Sequence, residues 1–224
     1  MLQDGTLFDC VLCDTRDGAS LFSLPHKCDC DQGCFDDETI CFVDGVHPTH
    51  NSKPTYGWIK KGETKELPSN TGRQRLNLSG MIDIFSKQVL MQEDETLEAE
   101  STIRLLKLIE KTYEDKRTIY LFCDNARYYR NKKVSAFLET SKISIQFLPP
   151  YSPNLNPIER LWKLMNEQVI NNKYYQKFSE FKDGLLKFLK SLSDPPENLL
   201  TVLQSRITDS FRAIGVSQLF KSST

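Results

Sequence analysis

No apolar run in the 224 residues approaches the roughly eighteen that a membrane-spanning helix needs, which excludes a helical membrane protein. The opening Met-Leu-Gln-Asp-Gly lacks the basic stretch and apolar core of a secretory signal, so the expected compartment is the cytoplasm. No segment repeats and no tract is of low complexity, which excludes solenoid and fibrous architectures. What is present is ordinary: 39% hydrophobic and 26% charged residues, enough for one globular domain with a real core.

Charge and cysteine are unevenly spread. Residues 1–38 hold nine acidic side chains against only Arg16 and Lys27, whereas 39–224 carry a net charge of +6. A moderately basic body suits a polyanionic partner. Five of the seven cysteines (Cys10, Cys13, Cys28, Cys30, Cys34) also fall in the first stretch, beside His26. Their spacing fits no common zinc module, so reduced thiols are the plainer reading and a zinc cluster the alternative. Cys41 and Cys123 sit inside apolar runs and read as small buried hydrophobes.

The segment 1–37 has no sustained period and is expected to lie outside the core. From residue 38 the pattern is regular. Glu38–Asp44 and Thr118–Asp124 are short apolar runs of the buried-strand kind. Arg75–Phe85 alternates through Leu76, Leu78, Ile82 and Ile84, and Gln88–Gln92 is placed to pair back onto it; Ile143–Phe147 makes a fifth strand. A sixth short strand is expected over Tyr56–Ile59, in the loop-rich basic stretch 46–75. Helical periods run over Ser101–Tyr113, around Val134–Leu138, over Asn156–Val169 and over Phe178–Leu192, with a last helix in 197–214 after Pro195-Pro196. This order predicts an α/β fold, a mixed five-stranded sheet flanked by helices. The expected domains are an acidic leader (1–37), a core (38–193) and a C-terminal helical tail (194–224).

Three acids stand out, and each has a local explanation. Asp44-Gly45 is a hairpin-turn signal, although Val-His-Pro-Thr-His follows it rather than a second strand. Asp124-Asn125 fits a simple Asx turn. Glu159 occupies the capping-box place after Asn156 and Pro157. Taken together they suggest something else. Two strands deliver a carboxylate at their C-terminal ends, where open α/β sheets place ligand sites, and a helix start delivers a third. Carboxylate oxygens are the ligands Mg²⁺ and Mn²⁺ prefer, and two such ions roughly 3.5–4 Å apart can drive an in-line phosphodiester displacement.

The runs LFCDNARYYRNKKV (121–134) and LPPYSPNLNPIERLW (148–162) closely resemble the catalytic domain of Tc/mariner-type DDE transposases, especially their bacterial insertion-sequence branch. FVDGVHPTHNSKPTYGWIKKG (42–62) resembles that branch's first catalytic segment, and the 34 residues between Asp124 and Glu159 match the family spacing. The resemblance covers about 38–190. It implies a ribonuclease-H-like fold, with Asp44, Asp124 and Glu159 as catalytic and metal-binding residues for two Mg²⁺ (or Mn²⁺) ions. It also implies DNA strand cleavage and strand transfer on double-stranded transposon ends and target, with water and then a DNA 3′-hydroxyl as nucleophiles. Oligomerisation on DNA and a nucleoid-associated cytoplasmic setting follow from the same resemblance. Family members carry an N-terminal helix-turn-helix region, and no such pattern is visible here. The implied partner is therefore a separately encoded end-binding subunit. The alternative is a non-catalytic fragment that only binds DNA or a partner transposase.

Lys60, Lys61, Arg73 and Arg75 follow the first acid, and Arg127, Arg130, Lys132 and Lys133 follow the second. Solvated charge is the bland reading of each; beside a metal site Lys60, Lys61, Arg127, Arg130, Lys132 and Lys133 are the expected phosphate contacts. Asn125 is expected to position DNA or metal-bound water. His47 and His50 are expected to orient a carboxylate or touch phosphate rather than bind zinc as a pair, because Pro48 intervenes. Trp58 and Trp162 read as packing residues ahead of base-stacking platforms. Because 1–37 is aperiodic and outside the resemblance, the chain without it is expected to keep a cooperative melt. An insoluble or non-cooperative truncation would put the leader inside the core.

Overall fold

The computed structural model describes residues 37–64, 66–149, 155–193 and 195–207. The leader, its cysteines and His26 lie outside the described residues, apart from Asp37. Within the unit Asp37–Asp209, five strands are formed by β1 (Glu38–Val46), β2 (Asn77–Asp83), β3 (Val89–Asp94), β4 (Thr118–Cys123) and β5 (Ile143–Phe147). Five α-helices accompany them: α1 (Ala99–Thr112), α2 (Lys132–Leu138), α3 (Ile158–Met165), α4 (Phe178–Ser191) and α5 (Glu197–Arg206).

The strands form one sheet in the order β3-β2-β1-β4-β5. β1, β2 and β3 are antiparallel neighbours, while β4 and β5 run parallel to β1 and to each other. This is the mixed, helix-flanked, ribonuclease-H-like sheet expected above. β1 and β4 lie side by side within the sheet, and their runs Ile40–Val43 and Ile119–Cys123 are apolar and buried, as strands covered on both faces require. One face of β1 and β4 presents Cys41, Val43, Ile119, Leu121 and Cys123 to a core shared with Leu105, Leu106 and Ile109 of α1 and Val134 of α2. The alternate residues point to the other face, where Phe42 and Phe122 stack at 5.2 Å and α3 packs on β1 and β2.

The β2–β3 hairpin is fixed from inside by Asp83, buried to 2% exposure. Its carboxylate accepts from the Phe85 and Ser86 amides at 2.7 and 3.1 Å and from the Thr39 and Tyr113 hydroxyls at 2.9 and 3.0 Å. Four donors satisfy the charge at the hairpin end.

Three expectations need amendment. No strand forms over Tyr56–Ile59: Tyr56 and Trp58 stand fully in solvent, so Trp58 is not a packing residue. Among the described residues no strand lies alongside to pair with this stretch. The loop is held at its base instead, by bridges of Thr49 with Arg75 and of Lys53 with Asn171. The helix expected over Asn156–Val169 begins as α3 at Ile158 and passes into a π-turn over Asn166–Ile170, closed by the Asn171 amide on the Asn166 carbonyl at 2.7 Å. The last helix closes at Arg206, and 208–214 lie outside the described residues. Leu203 of α5 and Ile207 are buried, and the Arg160 guanidinium of α3 donates to the Arg206 carbonyl at 3.0 Å.

Among the described residues no helix is long and apolar enough to cross a membrane.

Candidate active site

The pairing register decides where the first two acids stand. β1 and β4 are aligned in parallel up to Phe42 opposite Phe122. Asp44 and Asp124 each lie two residues beyond that pair, so they reach the same C-terminal edge, on the face carrying the phenylalanine stack. Asp44 is not in a hairpin: β1 continues past it to Val46, with Asp44 opposite Gly80 and Gly45 opposite Ser79 on β2. Asp124 follows the last residue of β4 and accepts from the Ala126 amide at 3.0 Å, the Asx turn anticipated from Asp-Asn.

Glu159 enters from α3, whose apolar residues Ile158, Leu161, Trp162, Leu164 and Met165 are buried. The capping-box reading does not hold, because the N-cap position falls on Pro157, which makes no side-chain cap bond for Glu159 to reciprocate. Asn156 instead accepts from the Ile158 amide at 3.3 Å, and the Glu159 carboxylate lies exposed beside the sheet edge.

Electrostatics tie the three together. Asp44 is half-buried, and its pKa is pushed up from 3.8 to about 6, first by desolvation and further by the negative charges of Glu159 and Asp124. The Trp162 indole N–H, 3.0 Å from Asp44 Oδ2, and the Gly45 amide act the other way. Glu159 is also raised, by desolvation and then by Asp124. Among the described residues no three His, Cys, Asp or Glu side chains close to metal-binding spacing, so the carboxylates share a field rather than a single point.

The remaining sequence-singled residues separate. Asn125 is an internal brace: its amide donates 2.8 Å to the Leu148 carbonyl and accepts from Arg130, whose guanidinium lies 4.2 Å over the Phe147 ring. Arg127 is exposed on the same turn. Lys132 is exposed at the start of α2, and Lys133 pairs with Glu100. Lys60 pairs with Glu63 at 3.3 Å on the exposed loop, with Lys61 beside it. The two histidines turn to different partners. His47 Nδ1 is 2.8 Å from Asn77 Oδ1, while His50 is buried, 2.9 Å from the Tyr175 carbonyl and packed among Phe178 and Phe181. His50 therefore anchors the loop base and is no carboxylate partner.

Two residues of the site escaped sequence reading. Trp162 was legible only as packing, yet its N–H reaches Asp44. Tyr128 sits with its hydroxyl 3.2 Å from where a Gly45 side chain would begin. Its pKa is raised by burial and then by the charges of Asp124 and Asp44, which marks it as a wall of the same site. The only local signal for it is the Tyr128-Tyr129 pair inside the basic run after Asp124.

A family model described as DDE superfamily endonuclease matches residues 39–182. The insertion element IS630 uncharacterized 39 kDa protein of Shigella sonnei is 23% identical over 164 residues, 73% of this chain and 48% of that protein. The transposable element Tc3 transposase of Caenorhabditis elegans is 31% identical over 94 residues, 41% of this chain and 29% of its own length. The chain thus spans about half the length of the IS630 relative, and less of the other. Among solved structures, the Mos1 mariner paired end complex with Mn aligns with a TM-score of 0.54 at 17% identity, over 75% of this chain and 53% of that one. At that identity it is the fold that is shared.

The Asp44 shift generates a pH test. The folded pKa lies above the unfolded one, so the stability from holding this proton is complete below about pH 4 and is lost as pH rises through about 6. At about pH 7 the metal-free wild type carries an ionisation cost that Asp44→Asn does not, on the order of 1–2 kcal/mol after allowance for partial solvation. Thermal melts without metal should show the variant above wild type at about pH 7 and level with it near pH 4. A gap that ignores pH would mean Asp44 is not under this load.

Proposed function

Because the chain belongs to the DDE superfamily endonucleases, we propose that it is a transposase catalytic domain that cleaves and rejoins DNA strands with divalent metal. One observation carries the reading. The negative charges of Glu159 and Asp124 both raise Asp44, and that of Asp124 raises Glu159, so the three carboxylates share one field without closing to a single point.

The donor set fits a hard divalent ion. All three groups are carboxylates, and their mutual repulsion is the load that such a cation removes. Asp44, Asp124 and Glu159 would hold Mg²⁺ or Mn²⁺, two ions in this reading. Bound there, the metal would supply activation of the attacking oxygen and stabilisation of the leaving one in an in-line displacement at phosphorus. The Mos1 mariner complex, which carries Mn, supports the choice of ion by analogy of fold.

The chain's own residues supply position. Asp44 is held by the Trp162 N–H and Asp124 by the Ala126 amide, so each carboxylate is turned before any ion arrives. Asp124 and Glu159 are exposed, leaving the site open to a polymer backbone. Arg127, Arg130, Lys132 and Lys133 line the segment after Asp124, and Lys60 and Lys61 the loop after Asp44; these are the proposed phosphate contacts. In the first step water attacks phosphorus and the 3′ oxygen of the DNA strand leaves. In the second, that freed 3′-hydroxyl attacks a target phosphodiester and displaces the target's own 3′ oxygen. In this reading a homo-oligomer forms on DNA. The cellular setting proposed is the cytoplasmic nucleoid.

Glu159→Gln tests the reading. Glutamine keeps the size of the side chain at a position where no cap depends on the charge, but is a far poorer ligand for a hard ion. The variant should melt close to wild type and lose Mg²⁺-dependent cleavage by roughly a hundredfold or more, about 3 kcal/mol of transition-state stabilisation. Retained cleavage would remove Glu159 from the site.

Replacing Lys132 and Lys133 with neutral residues should weaken DNA binding about equally across sequences and flatten its salt dependence by a slope of about one per lost contact. Lys132 should carry the larger share, because Lys133 is already paired with Glu100. A sequence-selective loss at unchanged salt slope would contradict the assignment.

A further inference from the structure

Trp162 lies one helical turn after Glu159. Three residues along α3 correspond to a rise of roughly 4.5 Å with both side chains on one side of the helix. Trp162 is buried at 4% exposure, and its indole N–H points to Asp44 Oδ2 at 3.0 Å across 118 residues of sequence. The ring has a dedicated seat. Gly80 is the cross-strand partner of Asp44, and a Cβ built there would meet the indole edge (Cη2) at 2.6 Å and Met91 Sδ at 2.5 Å. A side chain on Gly80 would therefore occupy the space that brings the indole over the sheet.

We infer that Trp162, seated over Gly80, is a positioning residue for Asp44, fixing one carboxylate oxygen and so the orientation in which the group meets the metal. The inference rests on the carboxylate-site reading above. Indole is a donor with no acceptor and no charge. It therefore orients Asp44 without neutralising it, whereas Lys or Arg in the same place would compete with the cation. The oxygen it holds is Oδ2, and with the Gly45 amide as the second donor to this carboxylate the two bonds together set its orientation. Because Glu159 and Trp162 share one rigid turn, any shift of α3 moves the third acid and the orientation of the first together. Hydrogen bonds of this outer kind are worth about 10- to 100-fold in metal affinity where they have been removed from other sites.

The test compares wild type, Trp162→Phe, Gly80→Ala, the double variant and Asp44→Asn, all as full chains. Mn²⁺ binding is read by the free-ion electron paramagnetic resonance signal, beside metal-free thermal melts and Mn²⁺ titrations of DNA cleavage. Phenylalanine keeps a ring over Gly80 and deletes only the donor edge. Trp162→Phe should weaken Mn²⁺ binding about tenfold, with cleavage restored toward the wild-type maximum at saturating Mn²⁺. Gly80→Ala, which keeps the tryptophan but lifts it from its seat, should weaken binding in the same direction. The double variant should be no worse than Trp162→Phe, because both changes remove one contact. A role in packing alone would lower the melting temperature and leave the Mn²⁺ affinity of the folded protein untouched.

Wild-type Mn²⁺ affinity in both Trp162→Phe and Gly80→Ala, with Asp44→Asn impaired, overturns the assignment of Trp162 and leaves the carboxylate site standing. Wild-type affinity in Asp44→Asn overturns the site and the assignment with it. Should Trp162→Phe fail to fold, Gly80→Ala decides alone.

Discussion

The parallel pairing of β1 with β4 is the constraint on which the site depends. Two adjacent strands in register bring residues at matched positions to one level, and a period of two then sets the face. With Phe42 opposite Phe122, Asp44 and Asp124 each stand two residues further on, on the face where the two rings stack. A shift of one residue on either strand would turn one acid into the α1 side of the core. The apolar coverage of both faces therefore does two jobs. It stabilises the sheet, and it holds the register that makes two separated aspartates into neighbours.

Bringing like charges to a partly desolvated edge has a cost, visible in the raised Asp44 and Glu159. The fold contains its own contrast. Asp83 is more deeply buried than Asp44, yet four donors surround it and it serves as a hairpin lock. Asp44 takes hydrogen bonds from an indole and one amide, and faces two carboxylates. The same side chain locks a hairpin where four donors surround it, and has its pKa raised where desolvation and two like charges outweigh two donors.

Much of this was legible in the sequence, for reasons of scale. The five strands and the helices Ser101–Tyr113 and Phe178–Leu192 announce themselves because burial is periodic along the chain, and Asp124 follows directly where β4 ends. Interactions set by tertiary distance were not legible. Nothing local distinguishes Trp162 as a donor to Asp44 from Trp162 as one more apolar face residue, since the contact spans 118 positions. Glu159 carried a capping-box signature that its helix does not use, because Pro157 and Asn156 shape the entry without it. The Tyr56–Ile59 expectation failed because strand propensity needs a partner strand, and the loop is fastened elsewhere. His50 reads like a companion of Asp44 by proximity in sequence, but its ring leaves with the loop and is caged by α4 aromatics.

The π-turn that ends α3 has a bearing on how such a helix tolerates change in its length. A turn of this kind carries one more residue than the α-helical turn it replaces, and so absorbs a phase slip within itself. Here the slip falls after Met165, and Val169 and Ile170 are both buried beyond it. Upstream, Glu159 and Trp162 keep their bearing on the sheet. The extra residue of the π-turn thus sits a full turn beyond Trp162, so the change of phase it introduces falls downstream of the end that carries Glu159.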